Sequence, residues 1–373
     1  MNLPLSYKNV RLLVTNGCPN NCSFCYRKPL DRSIDPIDMT EEVAFKSIEF
    51  IYKNIPRDNQ FNLIPWGGEP LMRFDLLKKI MLRFPQTPLH SNTSGSIMTQ
   101  DMYDFMMSEG RGYFLVWSMG NAYEKYGGVR QKVEAQPLMA KLVRERNLII
   151  NFTVTNYKNL VDDFNYLRDQ GFSRVAVQQL LGCDFKDEDL ELYMDNLLKL
   201  IIDGKKWKMQ VNTISEINPM HDDNKNMAEK SSVWYKEFGP VFLVKRDNFC
   251  DSGIEKLFID TAGGIWQCDG WYINRMNKLG DIYSGIDWGK VETMYEIWQN
   301  QEKYMFEFCK DCGIQDVCPN TKCLATNYRF TGNIFKPYPG FCKFQKALVK
   351  MFQQYVDYVK GENSNAKKEQ LAS

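Results

Sequence analysis

Apolar and amphipathic segments alternate along the first half of the chain. Short apolar or β-branched runs, such as 10–15 and 148–155, are typical of buried strands. Between such runs the apolar residues recur at helical spacing, as at Ala44, Ile48 and Ile51. Six strand–helix units with short connections fit between residues 10 and 202, and they require parallel strands with right-handed crossovers. The pattern predicts an α/β fold built on a parallel sheet.

The second half of the chain has a different composition. Residues 216–249 are polar and irregular, and they predict a linker or a segment that faces the substrate. Residues 250–345 are rich in Cys, Gly, Asp and aromatic side chains, which predicts a separate small domain. An amphipathic run at 344–359 predicts a closing helix, whereas the polar composition of 361–373 is typical of disorder. We therefore divide the chain into residues 1–215, 216–249, 250–345 and 346–373.

Charge and cysteine content narrow the possible functions. The 373 residues carry a net charge of +1, so no basic surface for nucleic acid or anionic membrane is expected. No apolar run reaches the ~20 residues of a membrane span, and the N-terminus lacks a signal-peptide core, which predicts a cytoplasmic protein. In that reducing compartment, eleven cysteines indicate metal ligation rather than disulfides.

Three cysteines follow the first predicted strand at C-x3-C-x2-C spacing, namely Cys18, Cys22 and Cys25. Three thiolates on a short loop can hold three irons of a [4Fe–4S] cube and leave the fourth iron open for chemistry. The alternatives are a chance cluster of cysteines and a zinc knuckle, which usually needs a fourth Cys or His nearby. The chain has only two histidines, His90 and His221, so the sequence favours the cluster.

This motif resembles that of the radical S-adenosylmethionine (SAM) enzymes. The resemblance implies a partial (β/α)6 barrel with a cluster in its first loop, where SAM is cleaved to a 5′-deoxyadenosyl radical that abstracts a hydrogen atom. The implied SAM contacts are Phe24 near the adenine, Gly67, Gly68 and Glu69 at the amine, Ser118 and Arg130 at the ribose and carboxylate, and Asn92 at the ribose. The family commonly has Ser-x-Asp-Gly where this chain reads Ser-Met-Gly-Asn, and Arg130 has the alternative of a solvated surface residue. Gln178 and Gln179 are further candidates for the barrel interior.

A second group of cysteines lies in the last third of the chain. Its spacing resembles the SPASM extension of radical SAM enzymes, with one extra residue before Cys323. The resemblance implies two auxiliary [4Fe–4S] clusters, a distal one on Cys309, Cys312, Cys318 and Cys342 and a proximal one on Cys250, Cys268 and Cys323. The fourth proximal ligand stays open. A zinc ribbon on the distal set is the alternative, and Cys183 is either a small buried side chain or a hydrogen-atom donor.

The resemblance also implies an activity. Relatives with this extension mostly modify peptides, so oxidation or crosslinking of a ribosomally made peptide is the leading function. The alternatives are dehydrogenation or epimerisation of a small molecule, and a nonenzymatic metal-binding module. The expected partner is an electron donor such as flavodoxin or ferredoxin. Because only nine residues precede the first strand, we expect the leader of a peptide substrate to bind either a separate peptide-recognition protein or the barrel surface.

Asp269 is the candidate catalytic base, because it directly follows Cys268. In the anaerobic sulfatase-maturing enzymes an Asp at the matching position deprotonates the substrate. The alternative for Asp269 and Gly270 is an ordinary turn.

Overall fold

A computed structural model describes residues 9–22, 24–27, 37–54, 61–120, 128–154, 156–178, 185–206, 210–213, 253, 256–314 and 323–372. The strands are β1 (Asn9–Thr15), β2 (Asn62–Gly67), β3 (Leu89–Thr93), β4 (Tyr113–Gly120), β5 (Ile149–Thr153), β6 (Arg174–Gln178), β7 (Gln210–Thr213), β8 (Lys256–Ile259), β9 (Gly264–Trp266), β10 (Lys278–Asp281) and β11 (Gly285–Ile286). The helices are α1 (Glu41–Asn54), α2 (Phe74–Arg83), α3 (Gln100–Met107), α4 (Val129–Ala135), α5 (Pro137–Glu145), α6 (Leu160–Asp169), α7 (Asp187–Lys206), α8 (Asp269–Ile273), α9 (Trp288–Gln299), α10 (Gln301–Cys309), α11 (Leu324–Thr331) and α12 (Pro339–Ala372).

Strands β1 to β7 form a parallel sheet in the order of the sequence. This confirms the α/β fold with a large parallel sheet that the sequence predicts. Strand β7 is an addition to the prediction: it pairs with β6 from Arg174↔Gln210 to Val177↔Thr213. Its four residues, QVNT, carry too little apolar signal to be recognised as a strand.

The cysteine-rich segment continues the same sheet on its other side. Strand β8 pairs in parallel with β1, from Asn9↔Lys256 to Leu12↔Ile259, and β9, β10 and β11 follow as antiparallel neighbours. Strand β1 therefore lies between β2 and β8. The strand that leads into the first cysteine loop is thus also the strand to which the C-terminal segment is attached.

The two faces of the parallel sheet differ in chemistry. Alternate residues such as Val10, Leu12 and Leu63 are fully buried in the main core with the helices. The opposite, inner face carries partly exposed residues, among them Arg11 and Phe114, of which Phe114 is 46% exposed. Ligand sites of parallel α/β folds lie at the carboxyl ends of the strands, so the inner face at that end is where a site is expected.

The helix termini follow from local sequence signals. Helix α1 begins at Glu41, and the Val43 amide donates to Thr40 Oγ1 at 3.2 Å, as expected for a Thr N-cap. Pro137 starts α5 at the position where it removes no helical hydrogen bond, which separates α5 from α4. Among the described helices, none combines the length and the apolar composition that a membrane crossing requires.

The C-terminus differs from the prediction. Its composition predicts disorder over 361–373, but α12 continues to Ala372. After Gly361 the segment contains no further Gly or Pro, and it includes Ala, Lys, Glu, Gln and Leu, which are strong helix formers. A polar composition shows that a segment cannot form a hydrophobic core of its own. A helix that has already begun can still extend through such a segment, because each added residue needs no core. The divisions at 215, 249 and 345 stay predictions, and residues 216–249 lie outside the described residues.

Replacing Leu348 by Ala is expected to destabilise the protein by about 2–5 kcal/mol, the usual cost of a buried Leu→Ala change. Leu348 is 0% exposed on α12, near where Phe344 stacks on Phe185 of the segment before α7. Leu82→Ala is the control, because Leu82 on α2 is 58% exposed. Urea unfolding measures both variants, and equal midpoints would contradict the packing of α12.

Candidate functional site

The first cysteine loop leaves the carboxyl end of β1. Cys18, Cys22 and Cys25 are all half-buried, and the Cys25 amide donates to the Cys22 carbonyl at 3.2 Å. Burial raises the pKa of the Cys18 thiol, and the nearby Glu69 raises it further. A thiol of raised pKa keeps its proton until a metal displaces it, so ligation here would release protons.

Two glycines, Gly67 and Gly68, allow the loop after β2 to lie directly against the first cysteine loop. The Gly68 amide donates to the Thr15 carbonyl at 3.0 Å, and the Glu69 amide donates to the Gly17 carbonyl at 2.9 Å. A Cβ atom on Gly68 would lie 2.0 Å from the Gly17 oxygen, and one on Gly67 would lie 2.1 Å from the Thr15 oxygen. Only residues without a side chain permit this approach.

The Glu69 carboxylate is buried and fully engaged. The side chain is 1% exposed, and it accepts hydrogen bonds from Thr93 Oγ1 at 2.7 Å and from the Leu71 amide at 3.2 Å. Its other oxygen accepts from the amide of Ser94 at 2.7 Å and from the hydroxyl of Ser94 at 2.5 Å. These bonds fix an anionic group at the ends of β2 and β3, beside the cysteine loop.

Asn20 connects the cysteine loop to the same network. Its amide nitrogen donates to Ser94 Oγ at 2.8 Å and to Ser96 Oγ at 3.2 Å. Ser94 therefore contacts both Asn20 and Glu69. Neither serine is part of a recognised motif, so sequence reasoning missed this link.

Polar residues stand at two successive register positions of the inner face. Ser118 of β4 pairs with Asn151 of β5, and two residues farther along β5 Thr153 pairs with Gln178 at the end of β6. The Asn151 side chain is 6% exposed, and among the described residues its Oδ1 atom has no hydrogen-bond partner. A buried polar atom of this kind is expected to meet a ligand or water. Sequence reasoning missed Asn151, because a single Asn in an apolar strand gives no motif.

The other expected SAM contacts lie on or near the same strands. The Phe24 ring reaches β4, since a Cβ atom on Gly120 would lie 3.5 Å from Phe24 Cζ. Asn92 is half-buried on β3 and pairs with Val116, which places it on the inner face. Glu69, however, is bound by Thr93 and Ser94 rather than by Asn92. Gln179 lies outside the described residues.

Arg130 and Lys132 lie on opposite sides of α4. Arg130 is exposed, and its guanidinium lies 4.9 Å from the ring centre of Tyr166 on α6. Lys132 is 0% exposed, and its ammonium donates to the Ser118 carbonyl at 2.6 Å. The structure thus turns the predicted carboxylate ligand toward the outer helices and brings an unpredicted cation to the end of β4.

Asp269 is held at the first cysteine loop by two side chains. One of its oxygens is paired with the guanidinium of Arg11 on β1, and the other accepts a hydrogen bond from the Tyr26 hydroxyl at 3.3 Å. Burial, and then the charge of Asp269, raises the pKa of Tyr26 well above its ordinary value, which keeps Tyr26 a proton donor. The guanidinium of Arg11 also lies 4.5 Å from the centre of the Trp66 ring.

The described auxiliary cysteines lie in three places. Cys268 and Cys323 pack against one small cluster around Trp271 and Leu324. The Cys312 amide donates to the Cys309 carbonyl at 2.9 Å, so these two share a turn at the end of α10. Cys342 lies in the first turns of α12. Cys183, Cys250 and Cys318 lie outside the described residues.

The donor set still fits the predicted groups. Within the described ranges, no three Cys, His, Asp or Glu side chains already lie together as a metal site, so every ligand set stays a prediction. The residues nevertheless have the donor chemistry that an iron–sulfur cluster requires, with three half-buried thiols on one loop and no competing histidine in that loop. Beside them stand the bound Glu69 carboxylate and the unsatisfied Asn151 oxygen, which are suited to the polar groups of SAM.

Comparison with known proteins gives the same picture. No family model matches the sequence. The radical SAM cyclopropyl synthase TigE of Paramaledivibacter caminithermalis is 21% identical over 370 residues, which cover 92% of this chain and 73% of TigE. The chain is a homologue of radical SAM enzymes. This confirms the resemblance predicted from the motifs and the prediction of a radical SAM enzyme.

Solved structures of radical SAM enzymes share the fold. The anSMEcpe enzyme with bound AdoMet and the Kp18Cys peptide superposes with a TM-score of 0.66 at 15% identity, over 95% of this chain and 99% of that one. Streptococcus suis SuiB bound to the precursor peptide SuiA superposes with a TM-score of 0.58 at 12% identity, over 92% of this chain and 77% of that one. Both neighbours were solved with a peptide, and anSMEcpe also with AdoMet.

Replacing Gly68 by Ala is expected to open the junction between the two loops. The added Cβ would meet the Gly17 oxygen at 2.0 Å and Cys18 Cβ at 2.8 Å, so one loop must move. Gly112→Ala is the matched control, because a Cβ there meets nothing within 4 Å. We expect Gly68→Ala to lower the melting temperature and the iron bound by the first loop. Equal melting temperatures and iron contents in the two variants would argue against the close approach.

Proposed function

We propose that this radical SAM enzyme oxidises or crosslinks a ribosomally made peptide. The observation that carries the proposal is the union of three features at one end of the sheet. The cysteine loop is bonded to the Gly-Gly-Glu loop, the polar pair of Ser118 and Asn151 lies on the inner face, and Asp269 of the C-terminal segment contacts the cysteine loop through Tyr26. The expected cofactors are SAM and three [4Fe–4S] clusters.

The chain's own residues would bind and orient the cofactors. Cys18, Cys22 and Cys25 would hold a cluster that, when reduced, supplies the electron that cleaves SAM. Glu69 is suited to the methionyl ammonium, because its carboxylate is anionic, buried and fixed by four hydrogen bonds. Phe24 would contact the adenine, and Ser118 and Asn92 would contact the ribose. Asn151 is the addition that the structure suggests.

A peptide is the substrate class best supported. TigE is named a cyclopropyl synthase, and the anSMEcpe and SuiB structures contain peptides. An electron donor such as flavodoxin or ferredoxin would complete the reaction.

Asp269 is proposed as the proton acceptor in a net oxidation. Loss of a hydrogen atom and then of an electron leaves the substrate with a proton to give up. Asp269 stands beside Cys268, a proposed auxiliary ligand that would lie on the path of that electron. Arg11 and Tyr26 fix the orientation of its carboxylate, so the Asp269 side chain does not have to change its rotamer when substrate binds.

The triple variant Cys18→Ala, Cys22→Ala, Cys25→Ala is expected to lose SAM cleavage while keeping the fold. Wild type should contain about twelve irons per chain, four for each cube, and the variant about eight. Iron analysis and chromatography of 5′-deoxyadenosine under reducing anaerobic conditions measure both quantities. Unchanged SAM cleavage in the variant would end the assignment, and four irons with stoichiometric zinc in wild type would support the zinc ribbon.

Asp269→Asn is expected to separate radical formation from product formation. SAM cleavage and hydrogen abstraction should persist, while product falls by about 100-fold or more, the usual scale for loss of a general base. The matched control is Asp195→Asn, since Asp195 is exposed on α7. A substrate peptide with deuterium at the reacting carbon reports abstraction independently of product.

The Arg11→Met variant tests whether Asp269 acts as a proton acceptor or only holds the C-terminal segment in place. It breaks the ion pair with Asp269 but keeps the carboxylate, so abstraction should persist and product should fall less than in Asp269→Asn. Equal losses in the two variants would assign Asp269 to docking of the C-terminal segment. Full product formation by Asp269→Asn would favour a redox-neutral reaction.

A further inference from the structure

Arg27 is a buried cation at the base of the first cysteine loop. It is 3% exposed, and one terminal nitrogen of its guanidinium donates to Asn16 Oδ1 at 2.5 Å. Asn16 comes two positions before Cys18, and Arg27 comes two positions after Cys25, so this hydrogen bond joins the two ends of the loop. The loop therefore holds a fixed positive charge beside the thiols proposed as cluster ligands.

The guanidinium has no anionic partner among the residues that the structure describes. Its other terminal nitrogen, Nη1, is buried without a hydrogen-bond partner, and no described carboxylate pairs with it. Arginine is almost never fully buried unless another group compensates its charge. A neutral Gln would make the same bond to Asn16 without the cost of burying a charge, so closure of the loop does not by itself explain a cation here.

The charge of Arg27 acts on the residue that follows the last cysteine of the loop. Burial and then Asp269 raise the pKa of Tyr26, whereas the guanidinium groups of Arg11 and Arg27 act in the opposite direction. Tyr26 directly follows Cys25, so a group bound to Cys25 would lie close to the same charge. Charges that are buried together are screened by solvent and salt much less than exposed ones.

We propose that Arg27 stabilises the reduced state of the cluster on the first cysteine loop and thereby raises its reduction potential. A cube held by three thiolates carries a net negative charge that increases when it accepts an electron. Net charge and hydrogen bonds to the sulfur atoms are among the factors that set such a potential. A fixed cation favours the more negative state, and Nη1 of Arg27 has a hydrogen bond to donate.

The inference rests on the proposed SAM-dependent function, because SAM is cleaved only by a reduced cluster. The electron comes from the external donor proposed above, and Arg27 neither gains nor loses a proton. Arg27 thus acts through the cluster and touches neither SAM nor the substrate.

Arg329 is another cation near the first cysteine loop, but it is less suited to this role. Burial lowers the pKa of Arg329, and the nearby Tyr26 and Cys25 act in the opposite direction. Arg329 is only half-buried on α11, so solvent and salt reduce the effect of its charge. Arg27 is almost fully buried and is held in place by Asn16.

The test is an anaerobic redox titration of the iron-loaded full chain, followed by electron paramagnetic resonance without SAM. The first cluster is identified as the part of the reduced spectrum that the triple cysteine variant lacks. Arg27→Gln removes the charge but retains a donor for Asn16, whereas Arg27→Lys retains the charge. Arg83→Gln is the matched control, because it removes one positive charge from a side chain on α2 that is 53% exposed.

We expect Arg27→Gln to make reduction of the first cluster about tenfold less favourable, a shift of about 59 mV for one electron. One unit charge has an effect of this size over about 10 Å at an effective dielectric constant of about 20. Arg27→Lys should stay within about threefold of wild type, because the charge is retained. Arg83→Gln should equal wild type, and the auxiliary clusters should keep their potentials in every variant. The shift should persist in about 0.5 M salt, since a buried charge is little screened.

Three results would overturn the proposal. The first is a wild-type potential in Arg27→Gln. The second is an equal shift in Arg27→Gln and Arg27→Lys, which would assign the effect to packing rather than to charge. The third is loss of the first cluster's iron in Arg27→Gln, which would assign Arg27 to the structure of the loop. Failure of the proposed function looks different, because wild type would then show no cluster signal that SAM alters and that the triple cysteine variant lacks.

Discussion

The candidate site depends on the close approach of two backbone loops. The amides of Gly68 and Glu69 donate to the carbonyls of Thr15 and Gly17, and no Cβ atom fits at Gly67 or Gly68. This contact fixes the first cysteine loop relative to β2, and it fixes Glu69 relative to the cysteines. Most of the other candidate groups are arranged around these two loops, through Ser94, Asn20 and the ends of β3 and β4.

Burying a charged side chain costs free energy, and the buried anions of the site have partner groups that offset this cost. Glu69 is buried with four hydrogen bonds, and Asp269 is only 15% exposed but paired with Arg11. Each of these anions has charged or strongly polar partners in the protein, as buried charges require. Burial also lowers the pKa of Lys132 to about 7, while the charge of Glu69 acts in the opposite direction.

The sequence predicts the site residues that lie in short contiguous motifs, but not the contacts between residues far apart in the chain. The three cysteines and Gly-Gly-Glu lie in short contiguous motifs, so their positions at the ends of β1 and β2 could be predicted. The exposure of Arg130 and the burial of Lys132 could not be predicted, because they depend on the rotation of α4 about its axis. Two helix residues two positions apart have similar sequence surroundings and opposite structural ones. The pair of Arg11 and Asp269 spans 258 positions, and no periodicity predicts such a contact.

The pairing of β8 with β1 has a consequence for the order of events in the proposed reaction. Asp269 follows β9 in the sheet that β8 extends from β1, so its distance from the first cysteine loop is set by backbone hydrogen bonds rather than by a flexible linker. A substrate bound on the inner face would then meet the radical source and the proton acceptor in one fixed geometry. Such rigidity favours a reaction in which hydrogen abstraction and proton loss follow each other without rebinding. It also explains why Arg11 belongs to β1: a cation on the strand common to both parts of the sheet holds Asp269 toward the loop where the radical would form.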